Sequence, residues 1–166
     1  MKNKKTQQSD RRSVSSSQVV MTQLVLPNDT NQLGNLLGGR LMEWMDIAAA
    51  ISAQRHSHRI CVTAAVDNLV FHHPIKLGEV VTLRASVNRA FETSMEVGVR
   101  VETENQLTGE CKIANTAYYT FVAVDAQNKP IRIPAVIPQT PVDKRRYKEA
   151  LKRRASRLSL RDTHEQ

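Results

Sequence analysis

The chain has 166 residues, which is enough for one domain with an ordinary hydrophobic core and short for two. Its formal net charge of +8 comes from the two ends: residues 1–18 carry five basic and one acidic side chain, and residues 141–166 carry nine and four. Residues 19–140 have ten basic and eleven acidic side chains and are close to neutral. The charge pattern therefore gives no support for specific nucleic-acid binding by the core, and any contact with a polyanion would depend on the tails.

The cysteine count and the hydropathy pattern indicate in which cellular compartment the protein works. Cys61 and Cys111 form neither a disulfide framework nor a metal-binding spacing, which favours a reducing environment. No apolar run reaches the roughly 20 residues that span a bilayer, and residues 1–18 lack the apolar segment of a secretory signal. We expect a cytoplasmic protein without membrane insertion, bound metal or cofactor.

The first elements in the chain are a strand at residues 19–26, a polar loop, and a helix that begins near the paired glycines Gly38 and Gly39. Between residues 41 and 53 the only charged side chains are Glu43 and Asp46, so this helix is apolar almost all round and is expected to be central to the fold. An unpaired buried charge is costly. Asp46 must therefore have a partner, contact solvent in a cleft, or serve a function.

After the helix the hydrophobic period changes from 3.6 to 2. Strands are predicted at residues 59–71, at 80–91, around 95–101 and at 111–124, with connections too short for the helical crossovers of a parallel sheet. The pattern predicts an α+β fold in which one long central helix is wrapped by a curved antiparallel sheet of five to six strands. One helix covers one face of such a sheet and leaves its edges open, which predicts dimerisation by sheet extension.

Several motifs occur in register over about 110 residues, a combination far more specific than any single motif. They are DTNQLGNLLGG at 29–39, LMEWMDIAAA at 41–50, QRH at 54–56, VTAAVDNLVFHHPIKLGEVV at 62–81, TSMEVGV at 93–99 and YYTFVAVD at 118–125. With these motifs the chain resembles the acyl-CoA thioesterases of the hotdog fold, of the bacterial short- and medium-chain type similar to the mammalian cytosolic (brain) acyl-CoA hydrolase.

The resemblance implies hydrolysis of acyl-CoA to a fatty acid and coenzyme A, so that coenzyme A is part of the substrate and not a cofactor. It also implies that the two catalytic residues are Asn31 and Asp46, contributed by opposite subunits of a dimer. Members of this family assemble from hotdog dimers, often three dimers to a hexamer. A dimer is therefore the minimum assembly expected, and a trimer of dimers the preferred one.

The residues are suited to this chemistry. Asp46 can act as a general base or as a nucleophile, and both roles remain open. The backbone N–H groups of Gly38 and Gly39 lie at a helix N-terminus, where they can polarise the thioester carbonyl, and Asn31 can hold the water or the carbonyl. Each of these residues also has a purely structural interpretation. Asp46 could pair with a buried arginine, Gly38 and Gly39 could allow close packing at the helix start, and Asn31 could support an Asx turn.

Coenzyme A carries several negative charges, and six residues are candidates to bind them: Arg89, Thr93, Ser94, Arg145, Arg146 and Lys148. The last three belong to a basic segment with Pro141 near its start, which is either a helix folded over the sheet or a solvated tail. We divide the chain into a basic, flexible tail (1–17), the hotdog domain (18–134) and a partly helical basic extension (135–166).

The alternative function is a non-catalytic hotdog protein that senses acyl-CoA or binds polyanions. The presence of both Asn31 and Asp46 favours the enzyme, because a sensor needs neither.

Overall fold

The computed structural model describes residues 11–67 and 69–164, and only the backbone of 161–164. The described elements, in chain order, are β1 (Arg11–Ser13), β2 (Val19–Leu24), α1 (Gly38–Ser57), β3 (Ile60–Asp67), β4 (Val80–Ala90), β5 (Ser94–Glu104), β6 (Cys111–Val124), β7 (Ala135–Ile137) and α2 (Pro141–His164). Short 3-10 turns lie at Val14–Ser17 and Pro27–Asp29. The predicted order of one helix followed by four strands is present.

Five strands form one antiparallel sheet in the order β2-β4-β5-β6-β3, which places β2 and β3 at its edges. Two predicted strands are shorter than expected. The strand at 59–71 ends at Asp67, and Pro74 and the turn at Gly78 follow before β4 begins. The first predicted strand ends at Leu24, because the Leu26 N–H turns away to bond the Asp29 carboxylate at 3.0 Å.

The hydrophobic core lies between α1 and one face of the sheet. Alternate side chains of the two central strands point toward the helix and are almost completely buried: Val81, Leu83, Ala85 and Val87 in β4, and Met95, Val97, Val99 and Val101 in β5. The helix packs against them with buried Met45 and with the small residues Ala48, Ala49 and Ala53, which let it approach the strands closely. The packing of these buried side chains fixes the position of α1 relative to the sheet.

The last turn of α1 is anchored by His56. This side chain is completely buried, and its Nε2 donates a hydrogen bond to the Pro134 carbonyl at 2.8 Å. Burial lowers the pKa of His56, the Pro134 hydrogen bond opposes that shift, and the charges of Arg12 and His58 reinforce it. His56 is therefore neutral and structural. His58 ends the helix in a left-handed conformation, with φ of 53°.

The second helix covers the opposite face of the sheet. Glu96 on β5 is 1% exposed and accepts hydrogen bonds from Arg153 at 2.7 and 3.0 Å and from Asn88 at 2.9 Å. The Arg153 guanidinium also stacks on the Tyr118 ring at 3.6 Å, and Arg157 pairs with Asp67 at the far edge. Burial disfavours the charge on Arg153, but hydrogen bonding and charge from Glu96 outweigh it and raise its pKa.

The C-terminal segment is therefore a helix docked on the sheet and not a solvated tail. Its first turn is capped by Thr140 and Asp143, which bond each other's backbone N–H groups. The two flanks of the proposed domain also meet, since β1 pairs in parallel with β7. Residues 11–17 and the segment from 135 to Arg157 thus contact the core or the sheet, whereas residues 1–10 of the predicted flexible tail lie outside the described part.

The Glu96–Arg153 pair gives a test of this docking. Replacing Arg153 with Met should destabilise the fold by about 3–5 kcal/mol, because it leaves the Glu96 carboxylate buried without its charged partner. Denaturant unfolding measures the change. Arg145→Ala, at an exposed position of the same helix, is the matched control and should stay within about 0.5 kcal/mol of wild type.

The double variant Glu96→Gln, Arg153→Met should regain part of the lost stability, because it removes the uncompensated charge. Equal stability for Arg153→Met and Arg145→Ala would show that α2 is not held by this pair.

Candidate active site

Asn31 lies in the loop before α1. Its Oδ1 accepts hydrogen bonds from the N–H groups of Leu33 at 2.9 Å and Asn35 at 3.1 Å, so the oxygen supports the loop as an Asx turn. The Nδ2 group makes no hydrogen bond within the described residues, and the side chain is exposed. The structural and functional interpretations of Asn31 are therefore compatible, since one amide atom holds the loop and the other is left to donate.

The loop is fastened to the N-terminus of α1. The Asp29 carboxylate forms an ion pair with Arg40 Nε at 3.0 Å, and the Asp29 carbonyl accepts the Leu37 N–H at 2.8 Å. A third contact joins the loop to the following turn, where the Leu77 N–H donates to the Gly34 carbonyl. Asn31 is thus held at the end of the helix where backbone N–H groups are available.

Gly38 and Gly39 are the first two residues of α1, as predicted, and their N–H groups have no partner within the described residues. The reasons for glycine differ. A Cβ at Gly38 would lie 3.3 Å from the Phe71 ring, whereas a Cβ at Gly39 would have no atom within 4 Å. Beside Gly38 is a cleft of about 310 Å³, lined mainly by Leu41, Phe71, His72, His73 and Ile75. A ligand can therefore approach the helix N-terminus closely at Gly39.

Asp46 is half-buried and is held by a residue that the sequence analysis missed. Its Oδ1 accepts a hydrogen bond from Thr63 Oγ1 on β3 at 2.7 Å. The suggested buried arginine partner is not present among the described residues, and Oδ2 receives no hydrogen bond from them. Thr63 lies within the sequence motif at 62–81, but the sequence does not place it beside Asp46. Asp46 therefore has one anchored oxygen and one available oxygen.

The site residues fall into two groups on one chain. Gly39 and Asp46 are seven residues apart on α1, so they lie on the same side of the helix but about 10 Å apart along its axis. We call Asn31, Gly38 and Gly39 the amide half-site, and Asp46 with Thr63 the carboxylate half-site. Within the described residues, no hydrogen bond joins the two half-sites of one chain.

Tyr119 on β6 faces α1 near the carboxylate half-site. It is 1% exposed, and its hydroxyl has no hydrogen-bond partner within the described residues. Burial, together with the negative charge of Asp46, raises the pKa of Tyr119 to about 12.

The six candidates for binding coenzyme A are not brought to Asp46. Arg89 is engaged structurally: its guanidinium stacks on Tyr147 at 4.1 Å and donates to the Tyr147 carbonyl at 3.2 Å, which fixes α2. Thr93 and Ser94 lie at the turn between β4 and β5, and Lys148 is exposed on α2. Arg145 and Arg146 line a cleft of about 550 Å³ together with Arg84 and Arg100, on the sheet face opposite α1.

Among the side chains that the structure describes, in residues 11–67 and 69–160, no three His, Cys, Asp or Glu residues are grouped as a metal site would require. Neither described helix combines the length and apolar character needed to cross a bilayer.

Comparison with known proteins shows the family. The thioesterase superfamily model matches residues 33–110. The chain is 41% identical over 150 residues to the uncharacterized acyl-CoA thioester hydrolase YkhA of Bacillus subtilis, covering 90% of this chain and 87% of that protein. It is 42% identical to mouse acyl-coenzyme A thioesterase 11 over 147 residues, covering 89% of this chain. It spans only 25% of the length of that mouse protein.

Solved structures of acyl-CoA thioesterases have the same fold as this chain. An apo-hexameric acyl-CoA thioesterase superposes with a TM-score of 0.88 at 39% identity, covering 90% of this chain and 96% of that one. An acyl-CoA hydrolase of Staphylococcus aureus, solved with butyryl coenzyme A and coenzyme A, gives 0.84 at 35% identity, covering 93% and 97%. The architecture is the hotdog fold predicted from the sequence. The chain belongs to the acyl-CoA thioester hydrolases of the thioesterase superfamily.

The two glycines give a test of the local geometry. Gly39→Ala should raise the unfolding temperature by a few degrees, because alanine favours the helix by up to about 1 kcal/mol and meets no neighbouring atom. Gly38→Ala is the matched control at the adjacent position, and it should unfold at a lower temperature than Gly39→Ala because Phe71 has to move. Thermal unfolding of both variants measures the difference, and the reverse order would contradict the arrangement described here.

Proposed function

We propose that the protein hydrolyses acyl-CoA thioesters to a free fatty acid and coenzyme A. The observation that carries this proposal is the Asp46 carboxylate, which is anchored by Thr63 on one oxygen and available on the other. The Staphylococcus aureus hydrolase has also been solved with an asparagine, an aspartate or a threonine replaced by alanine. Those three residues are separated by 15 and 17 positions, the same separations as Asn31, Asp46 and Thr63.

The reaction follows from the two half-sites. The thioester carbonyl oxygen accepts hydrogen bonds from the Gly38 or Gly39 N–H and from Asn31 Nδ2, which stabilise the negative charge that develops there. Asp46 takes a proton from water as the water oxygen attacks the carbonyl carbon. The tetrahedral intermediate collapses and the carbon–sulfur bond breaks. The departing thiolate takes the proton from Asp46, which regenerates the carboxylate.

Direct attack by Asp46 on the thioester, giving a mixed anhydride that water then hydrolyses, uses the same residues. In both routes Thr63 holds one carboxylate oxygen so that the other one reacts.

The open edge of β3 supports a site shared by two subunits. Among the described residues, no strand pairs with the outer edge of β3, and Ile60 and Val62 on this strand are 63% and 46% exposed. Pairing of two β3 edges would bury these side chains around a two-fold axis. It would also place the carboxylate half-site, which includes Thr63 of β3, at the interface with the partner.

We therefore propose that the amide half-site of one subunit and the carboxylate half-site of the other form each active site. A hexamer of three such dimers is proposed from the hexameric state of the solved thioesterase relative.

Arg145 and Arg146 remain the candidates for the phosphates of coenzyme A, with Thr93, Ser94 and Lys148 at other positions. Because their cleft lies on the face opposite α1, it would serve an active site of a neighbouring subunit. Arg89 is a weaker candidate, since its guanidinium is committed to Tyr147. We also propose a cytoplasmic location, which is consistent with the free thiols of Cys61 and Cys111.

A non-catalytic sensor or polyanion-binding protein is the alternative function. It would not need the Thr63 hydrogen bond that orients Asp46. Three basic residues of α2 are used to dock the helix: Arg153 and Arg157 in ion pairs, and Arg154 stacked on Phe91. That use reduces the charge available for a polyanion.

A panel of acyl-CoA substrates from acetyl to palmitoyl, with detection of the released thiol, tests the function. Asp46→Asn should lose about 10²-fold or more in turnover, the scale expected when a general base is removed, while the protein remains folded. Thr63→Ser keeps the hydroxyl and should retain most of the activity, whereas Thr63→Val should lose part of it.

The wild-type protein should need no added metal. Activity that a chelator abolishes and zinc restores would contradict this mechanism. Full turnover by Asp46→Asn would show that the role of Asp46 is structural.

A further inference from the structure

Tyr119 carries a buried, titratable hydroxyl that the mechanism above does not use. Its hydroxyl is enclosed by the core without a hydrogen-bond partner among the described residues. Burying such a hydroxyl costs about 1–3 kcal/mol, a sizeable fraction of the stability of a domain. A phenylalanine would fill the same place without this cost, so the hydroxyl calls for an explanation.

The sheet register places Tyr119 beside the carboxylate half-site. Tyr119 pairs with Val66 on β3, and Phe121, the next inward-facing residue of β6, pairs with Thr63. The rings of Tyr119 and Phe121 stack with centroids 6.3 Å apart. Thr63 in turn donates a hydrogen bond to Asp46. Tyr119 is therefore one inward-facing position along β6 from Phe121, the residue that pairs with Thr63.

The charged and titratable groups around this region are few. The central strands β4 and β5 present only apolar side chains to α1 from Val81 to Val87 and from Met95 to Val101. On α1 itself, Glu43 lies one turn before Asp46 and is paired with Arg40, and on β3 the terminal Asp67 is paired with Arg157. Among the described residues, Asp46 is the charge that contributes to the raised pKa of Tyr119, after burial.

We propose that Tyr119 is a positioning residue for the hydrolysis. In the assembled enzyme its hydroxyl donates a hydrogen bond to the Asp46 carboxylate. The inference rests on the proposed function and on pairing of the β3 edges. In one chain Asp46 is half-exposed and surrounding water can satisfy it, whereas pairing at the edge would displace part of that water and leave Tyr119 as the nearby donor. A carboxylate has about four acceptor positions, so Thr63 and Tyr119 together leave room for the reacting water.

The hydrogen bond would keep Asp46 ionised in a site from which solvent is excluded. A donor stabilises the charged carboxylate over the neutral acid, so its removal favours the protonated form of Asp46, which cannot act as a base. The enzyme without the Tyr119 hydroxyl should therefore lose activity at the acid end of its pH range and recover it as the pH rises.

Tyr119→Phe removes the hydroxyl alone, and the pH dependence of kcat/KM is measured between pH 4 and 9 with the best substrate of the panel. The acid limb should move to higher pH by about one unit, the scale of one hydrogen bond to a charged group. Activity should fall about tenfold on that limb and approach wild type at high pH, with KM unchanged. Tyr118→Phe is the matched control, because its ring lies on the opposite face under Arg153.

The outcomes separate this inference from the proposed function. A Tyr119→Phe enzyme with an unchanged pH profile, whatever its thermal stability, would show that the hydroxyl is only a core group and would overturn the inference alone. The same shift in Tyr118→Phe would also overturn it. A wild-type protein that hydrolyses no acyl-CoA would overturn the proposed function and this inference with it.

Discussion

Gly39 and Asp46 are held seven residues apart on one rigid helix, and this spacing constrains the geometry of the active site. The N–H groups that can polarise a thioester carbonyl lie at the first residues of α1, and the carboxylate that can activate water lies about 10 Å further along the same helix. The core packing of α1 prevents either end from moving toward the other. The proposed dimer brings the N–H groups of one chain and the carboxylate of the other to one thioester carbonyl.

The remaining parts of the structure prepare the two half-sites separately. Asp29 ties the loop of Asn31 to the helix N-terminus through Arg40 and Leu37, and Thr63 ties Asp46 to the edge strand β3. The open edge of β3 then offers the surface on which two copies can meet. On the other face of the sheet, the buried Glu96–Arg153 pair holds α2, and Arg157 of the same helix pairs with Asp67 at the end of β3.

The fold was largely predictable because local periodicity determined it. The change from period 3.6 to period 2 located α1 and the strands, and the motifs led to the hotdog fold. Thr63 and Tyr119 were not predictable as site residues, because their proximity to Asp46 depends on the register between β3 and β6 and on a bulge between Thr63 and Ala65. The docking of α2 was not predictable either, because Glu96 occupies a position on β5 where the alternation of apolar and polar residues predicts a solvent-facing charge.

Subunit complementation tests the shared active site most directly. Asn31→Asp keeps an oxygen for the loop hydrogen bonds and removes the Nδ2 donor, and Asp46→Asn removes the base; each protein alone should be inactive. After subunit exchange between equal amounts, the account predicts recovery of about one quarter of wild-type activity, because half of the dimers are mixed and half of their sites are intact, if sites act independently. Mixed dimers that form and show no activity would contradict it, because every site would then be built within one chain.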